Sequence, residues 1–417
     1  MHSHQHNPLT FPKNFLWGAA TSAHQVEGYN TNNDWSLVAD SGLSDAGKAG
    51  DHYHLFEKDF DAAHELNHNA HRFSVEWSRI EPEENTWDEK ELEHYCSVIR
   101  ALLNRGLEPF VTLHHFTLPL WLYHKGGWAN KKAPEYFNRY VSYLMKHLPH
   151  EVRFWITINE PLVYISQGYI RKKWPPFKKN DIVHALLVFS HMESAHKRAY
   201  HTIHAMRSNA HVGIAHSASS FHAYRKHKLG DQLFEMMLDF LVNHSFFRFS
   251  KKFHDFLGIN YYIHYRIYEV HPHLIKNPLQ FQDIAKQYRE VSDVGWEVYP
   301  QGIFNILVDF KDMGLPIYIT ENGIATKNDH KRTRFIISHL KEIYHAIHAG
   351  VDIRGYFHWS LLDNYEWDKG FAPRFGLLGV NYETLERTVQ DSARVYARIC
   401  KENAISHDLL HYLGHET

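Results

Sequence analysis

Eight times along the chain a short apolar run gives way to a segment with helical periodicity, and this alternation constrains the fold more than any other feature. The runs are Phe15–Ala20, Ala70–Val75, Pro109–Leu113, Phe154–Ile158, Val212–Ala215, Phe256–Ile259, Ile317–Thr320 and Ile353–Phe357. They are too short for helices and largely lack the polar alternation of a half-exposed strand, so they read as strands buried on both faces. The segments between them carry legible helix ends. Asp88 is placed as a cap with Glu91 three residues on, Leu92, Tyr95, Ile99 and Leu102 share one face, and Gly106 is the stop. Pro134 opens a helix with a stripe of Phe137, Val141, Leu144 and Leu148, Asp181 and Asp231 are placed as further caps, and Ile336, Leu340, Ile343 and Ile347 lead to Gly350. Strands alternating with helices specify a parallel sheet, and eight strands close a (β/α)8 TIM barrel. No linker or short repeat interrupts the pattern, so residues 1–417 are expected to form a single α/β domain, with residues 1–10 a flexible, His-containing N-terminus.

A barrel of this kind gathers its functional groups at the carboxyl ends of the strands. The residues at or just after those ends are Gln25, Arg72 with Glu76, His114 with His115, Asn159 with Glu160, Asn260 with Tyr261 and Tyr262, Glu321, and Trp359 with Glu366 and Trp367 in its loop. The sharpest is Glu321, where the run Ile317-Tyr318-Ile319-Thr320 breaks into Glu-Asn-Gly; alone, it reads equally as a salt-bridged strand end or a catalytic carboxylate. Glu160, in Thr157-Ile158-Asn159-Glu160-Pro161, supplies a second strand-end carboxylate. Two such groups are what glycoside hydrolysis needs: one protonates the leaving oxygen and the other attacks the anomeric carbon or activates water, at separations of about 5–5.5 Å or about 6.5–9.5 Å respectively. The surrounding tryptophans suit the apolar face of a sugar. A net charge of -2 provides no basic footprint for nucleic acid, and no apolar run is long enough to span a bilayer.

The chain resembles glycoside hydrolase family 1, the β-glucosidase family, from about Phe11 to Tyr396. Phe15-Leu-Trp-Gly-Ala-Ala-Thr-Ser-Ala-His-Gln-Val-Glu-Gly28 is similar to its amino-terminal signature, Asn159-Glu160-Pro161 to its acid/base motif and Ile319-Thr320-Glu321-Asn322-Gly323 to its nucleophile motif. The resemblance implies a retaining exo-β-glycosidase, a β-glucosidase before others, that needs no metal or organic cofactor and acts on β-glucosides or short β-linked oligosaccharides. Glu321 would be the nucleophile and Glu160 the acid/base, with Arg72 and Tyr262 holding Glu321 ionised. Gln25, His115, Asn159, Glu366 and Trp367 would bind the nonreducing sugar, Trp359 would form its floor, and Trp296 the wall for the aglycone. A carboxylate at Glu366 would repel a 6-phosphate, which disfavours phosphorylated sugars.

One departure bears on specificity: His115-Phe116-Thr117 stands where the family often has His-Trp-Asp, losing an indole donor and leaving glucose against galactose or fucose open. The stretch from Ser217 to Asp255 is shorter than is common in the family. Transglycosylation uses the same intermediate and is not separated from hydrolysis by the sequence. A sugar-binding pseudoenzyme is disfavoured by the presence of both carboxylates, and a zinc peptidase, suggested by His64-Glu65-Leu66-Asn67-His68, by its position before the second strand. The two cysteines, Cys96 and Cys400, form no disulfide framework or metal spacing, and with no apolar leader the chain reads as cytoplasmic. Among the 37 histidines, His191, His196, His201 and His204 read as solvent-facing, so that positive charge would accumulate as pH falls through about 6.5. Oligomeric state is not set by any of these features.

Overall fold

The computed structural model describes residues 7–267 and 289–414. Eight parallel strands form a closed barrel in chain order: β1 (Leu16–Ala20), β2 (Ala70–Ser74), β3 (Glu108–Thr112), β4 (Phe154–Asn159), β5 (His211–Ala223), β6 (Leu257–Ile267), β7 (Ile317–Asn322) and β8 (Ile353–Trp359), with β8 pairing back onto β1. All eight runs become these strands. The principal helices around them are α1 (His52–Glu65), α2 (Glu89–Asn104), α3 (Ala133–His147), α4 (Ile182–Met206), α5 (Leu229–Asp239), α6 (Ser245–Ser250), α7 (Pro300–Asp309), α8 (Asp329–His348) and α9 (Asp391–Glu402).

Two layers of core follow from the strands being buried on both faces. Outside the barrel, β-branched and aliphatic residues such as Val111, Ile158, Ile214, Ile259 and Ile319 meet the helices. Inside it, aromatic rings pack as a plug: Phe110 stacks on Phe154 at 4.2 Å and meets Phe357 and Tyr318 at 4.7 and 5.2 Å. The barrel is therefore filled, and only its carboxyl-end mouth can receive a ligand. Several ladders shift register near those ends, at Ile156/Asn159, Ile259/Asn260 and Ile319/Asn322, which re-aims the side chains that follow.

Helix ends match the sequence at Asp88, which accepts from the N–H groups of Lys90 and Glu91, and at Asp181, which accepts from that of His184. Three expectations are corrected. Asp231 is not a cap: α5 starts two residues before it, and its buried carboxylate instead takes both arms of Arg225 at 2.8 and 2.9 Å. The N-terminus is ordered sooner than residue 10, because Leu9 and Thr10 pair with Ile405 and Ala404 in a two-stranded sheet; residues 1–6 lie outside the described residues. His196 does not face solvent. It is fully buried, 2.7 Å from the Thr157 hydroxyl and stacked on His254, and burial pushes its imidazole down to about 3. Among the described residues no helix is long and apolar enough to cross a membrane.

Candidate active site

The two carboxylates are delivered by local backbone features. Glu160 follows β4 with φ 44°, a left-handed conformation that costs a non-glycine residue about 1–3 kcal/mol. Its N–H donates to the Ala215 carbonyl at 2.7 Å, fixing the turn, and Pro161 opens the short helix behind it. Glu321 lies within the last residues of β7, and Gly323 beyond it allows the strand to pass the Trp359 carbonyl, which a Cβ there would meet at 1.8 Å.

Arg72, buried at the end of β2, organises the floor. Its Nη1 donates to Glu321 Oε1 at 2.5 Å and to the Thr320 carbonyl at 3.1 Å, Nη2 to Asn159 Oδ1 at 2.7 Å and Nε to Thr112 Oγ1 at 3.1 Å. Tyr262 donates its hydroxyl to Glu321 Oε2 at 2.7 Å, so both oxygens of that carboxylate have a donor. Asn260, which the sequence marked only as a strand-end residue, joins the two halves. Its Nδ2 donates to Glu160 Oε1 at 2.9 Å and Asn159 Oδ1 at 3.2 Å, while its Oδ1 accepts from Thr320 Oγ1 at 2.7 Å.

These partners set two different acidities. Burial, and then the negative charge of Glu321, push Glu160 up to about 8 against the opposing pull of Asn260 and Arg72. Burial also raises Glu321, but Arg72 and the Tyr262 hydroxyl oppose it directly. Glu160 has only neutral donors, the Asn260 amide and the Ser217 hydroxyl, where Glu321 has a guanidinium and a phenol, an arrangement that favours the proton of the pair on Glu160.

The remaining site residues converge on the same mouth. His115 approaches the Asn159 amide at 3.3 Å and lies parallel to Trp359 and Trp367, with centroids 5.9 and 6.1 Å away. Gln25 Nε2 donates to Asn364 Oδ1 at 3.0 Å and lies 3.4 Å from Glu366 Oε2. Trp367, itself at φ 51°, is wedged against Trp35, Phe116 and Trp174 at 4.7, 5.2 and 5.6 Å. Trp296 packs against Tyr262 and Phe375 at 5.7 and 6.3 Å. All eleven expected site residues thus lie within this one assembly. Glu366 shares the raised acidity range of Glu160: burial first, with the charges of Glu321 and Asp368 adding to it and Lys369 opposing, pushes it up to about 8.

Other neighbours carry no sequence signal for their roles. His114 accepts at Nε2 from the Trp128 indole N–H at 3.1 Å rather than facing the cleft, and Glu76 accepts from the Ser78 and Thr117 hydroxyls. Glu297, next to Trp296, is buried and accepts from His264 at 2.8 Å, Arg266 at 3.2 Å and Arg289 at 3.3 Å, anchoring the Trp296 loop to β6. The peptidase-like motif is not assembled, since α1 ends at Glu65, leaving His64 exposed and His68 buried beyond the helix at the amino end of β2.

The profile of glycosyl hydrolase family 1 matches residues 7–251 and 240–405. The chain is 31% identical to β-glucosidase A of Thermotoga maritima, covering 96% of this chain and 99% of that protein, and 30% identical to a β-galactosidase of Pyrococcus woesei, covering 95% and 98%. Among solved structures, a β-glycosidase from Pyrococcus horikoshii superposes with a TM-score of 0.91 at 38% identity over 98% of this chain and 99% of that one. The Thermotoga maritima β-glucosidase bound to glucoimidazole superposes with a TM-score of 0.88 at 29% identity, over 95% and 99%. With a match of this extent laid over a mouth furnished with two carboxylates, the chain belongs to glycosyl hydrolase family 1 and is a β-glycosidase.

Proposed function

We propose that the protein is a retaining exo-β-glycosidase whose principal substrates carry a terminal nonreducing β-D-glucosyl residue. The observation that carries this reading is the unequal pair: Glu321 held between Arg72 and Tyr262, Glu160 buried with only neutral donors and pushed up to about 8. Glu321 attacks the anomeric carbon as Glu160 gives its proton to the departing glycosidic oxygen, forming a glycosyl ester on Glu321. Esterification removes the negative charge that helped hold the proton on Glu160. Glu160 then becomes the base that takes a proton from water, whose oxygen attacks the anomeric carbon and returns the Glu321 carboxylate.

Gln25, His115, Asn159, Glu366 and Trp367 hold the sugar hydroxyls over the Trp359 ring, and Trp296 receives the aglycone. Asn159, pinned by Arg72, is the group suited to a 2-hydroxyl contact that strengthens in the transition state. The β-galactosidases among the relatives make galactosides or fucosides the second reading, and a sugar acceptor in place of water would make the same intermediate transglycosylate. The free, buried Cys96 and Cys400 favour a reducing, cytoplasmic setting. The test is incubation with a 2-deoxy-2-fluoro β-glucoside, followed by peptide mass mapping. A label on Glu321 is expected; a label elsewhere, or hydrolysis with inversion and no label, overturns the mechanism. A panel of aryl β-glycosides ranks the sugars.

A further inference from the structure

The face of the molecule carrying the start of α4, all of α5 and α6 departs from the rest in two ways. Large apolar side chains stand in solvent there, including Val183 at 76% exposure, Leu186 at 67%, Leu229 at 68%, Met236 at 67% and Phe249 at 62%. The elements are contiguous: α5 runs through a π-helical turn, Phe240–His244, into α6, and Phe249 of α6 lies edge-on to Phe189 of α4 at 5.9 Å. Monomeric proteins rarely leave so many large apolar groups clustered in water without a use for them.

The second departure is charge. Residues 171–252 hold fourteen Lys or Arg against five Asp or Glu, a net of +9 in a chain whose total is -2. All five acids are buried or half-buried, whereas Lys226, Lys228, Arg248, Lys251 and Lys252 are exposed, with no acidic partner within ion-pair distance among the described residues. The whole-chain charge conceals this segregation.

We propose that this face docks on an anionic lipid bilayer, its Leu, Met and Phe side chains entering the headgroup boundary while the lysines pair with lipid phosphates. Apolar groups on short helices flanked by exposed cations are the pattern of an interfacial contact, which needs no spanning segment. A second copy of this chain fits less well, because a two-fold contact through the apolar patch would bring one basic flank against the other. Position gives the contact a consequence. A helix that follows a barrel strand starts at its carboxyl end, so the amino ends of α4 and α5 stand beside the active-site mouth, which docking would hold close to the lipid surface.

Vesicle co-sedimentation of the full chain tests this, with a phosphatidylcholine and phosphatidylglycerol mixture against phosphatidylcholine alone. Binding to the anionic vesicles is expected, weakening with salt. Lys251→Gln with Lys252→Gln should reduce partitioning about 25-fold, or about fivefold per lysine, and Leu233→Ser with Met236→Ser should reduce it comparably, with hydrolysis of a soluble aryl glucoside unchanged. Absence of binding to anionic vesicles overturns the proposal, as does equal binding to both vesicle types that survives the lysine changes. A dimer dissociated by the serine variant, or retention on duplex DNA, without vesicle binding, assigns the face to a different partner and equally overturns it.

Discussion

Replacing Glu321 by Gln isolates the electrostatic coupling on which the proposed mechanism depends. The change keeps the side chain's size and removes its charge, and that charge stands second only to burial among the influences holding Glu160 up at about 8. At a separation of about 5.5 Å, the spacing of a retaining pair, and an effective dielectric of about 20, Coulomb's law gives about 3 kcal/mol, or about 2 pH units. Glu160 should therefore titrate about 2 units lower in Glu321→Gln, while Arg72, left without its anion, continues to favour the Glu160 carboxylate. Carboxyl 13C NMR of glutamate-labelled protein reads this directly, with a Glu160→Gln spectrum assigning the resonance. The same proton should govern the alkaline limb of kcat/KM in the wild type, which is expected to fall as pH rises through about 8, because an ionised Glu160 cannot protonate the leaving oxygen. If Glu160 titrates unchanged in Glu321→Gln, burial alone holds its proton, the ester would not release it, and the acid-to-base switch proposed for Glu160 is refuted.

Two further expectations rest on other parts of the structure. Glu297→Gln leaves Arg266 and Arg289 without their carboxylate, which burial opposes but hydrogen bonds from His264 and Arg266 hold down at about 2; KM for aryl glucosides should rise about fivefold, with a smaller effect for methyl glucoside, on the scale of about 1 kcal/mol for a loosened contact. An equal loss for both substrates would deny Glu297 a part in placing Trp296. Thermal stability should be greatest near pH 6.5: burial pushes His24, His68, His114, His196, His339 and His358 down to about 3, so the unfolded chain takes up protons that the fold refuses once pH drops below about 6.5, at up to about 1.4 kcal/mol per histidine per pH unit. Above that pH the sign reverses, because Glu160 and Glu366, at about 8, and His244, at about 9, bind protons more tightly when folded and lose that contribution as pH rises; a melting temperature that keeps rising down to pH 5 would contradict this ordering.

What could be read in the sequence was what the chain specifies locally. The eight strands were legible because a strand buried on both faces is an unbroken apolar run, and Asp88 and Asp181 because a cap acts within three residues of itself. Given the barrel, the carboxyl-end rule placed Glu160, Glu321, Arg72 and Tyr262 at one mouth. Errors arose where a residue's surroundings come from distant chain. His196 lies on a helix but is sealed in by Thr157 and His254, and among the described residues it is one of twelve buried rings of the 37 histidines, whose excess suggested charge spread over solvent faces. Asn260 makes the same point for the site itself. Its partners Thr320 and Glu160 stand 60 and 100 residues away, so nothing near it in sequence distinguishes it from any polar residue at a strand end. Yet its single amide touches Glu160 and, through Thr320, the strand that carries Glu321, which links the two carboxylates. Residue identities at strand ends were enough to bring Glu160 and Glu321 forward as a pair of carboxylates, and their division into acid and nucleophile rested on the family resemblance; which of the two favours the proton depends on donors that only closure of the barrel brings within reach.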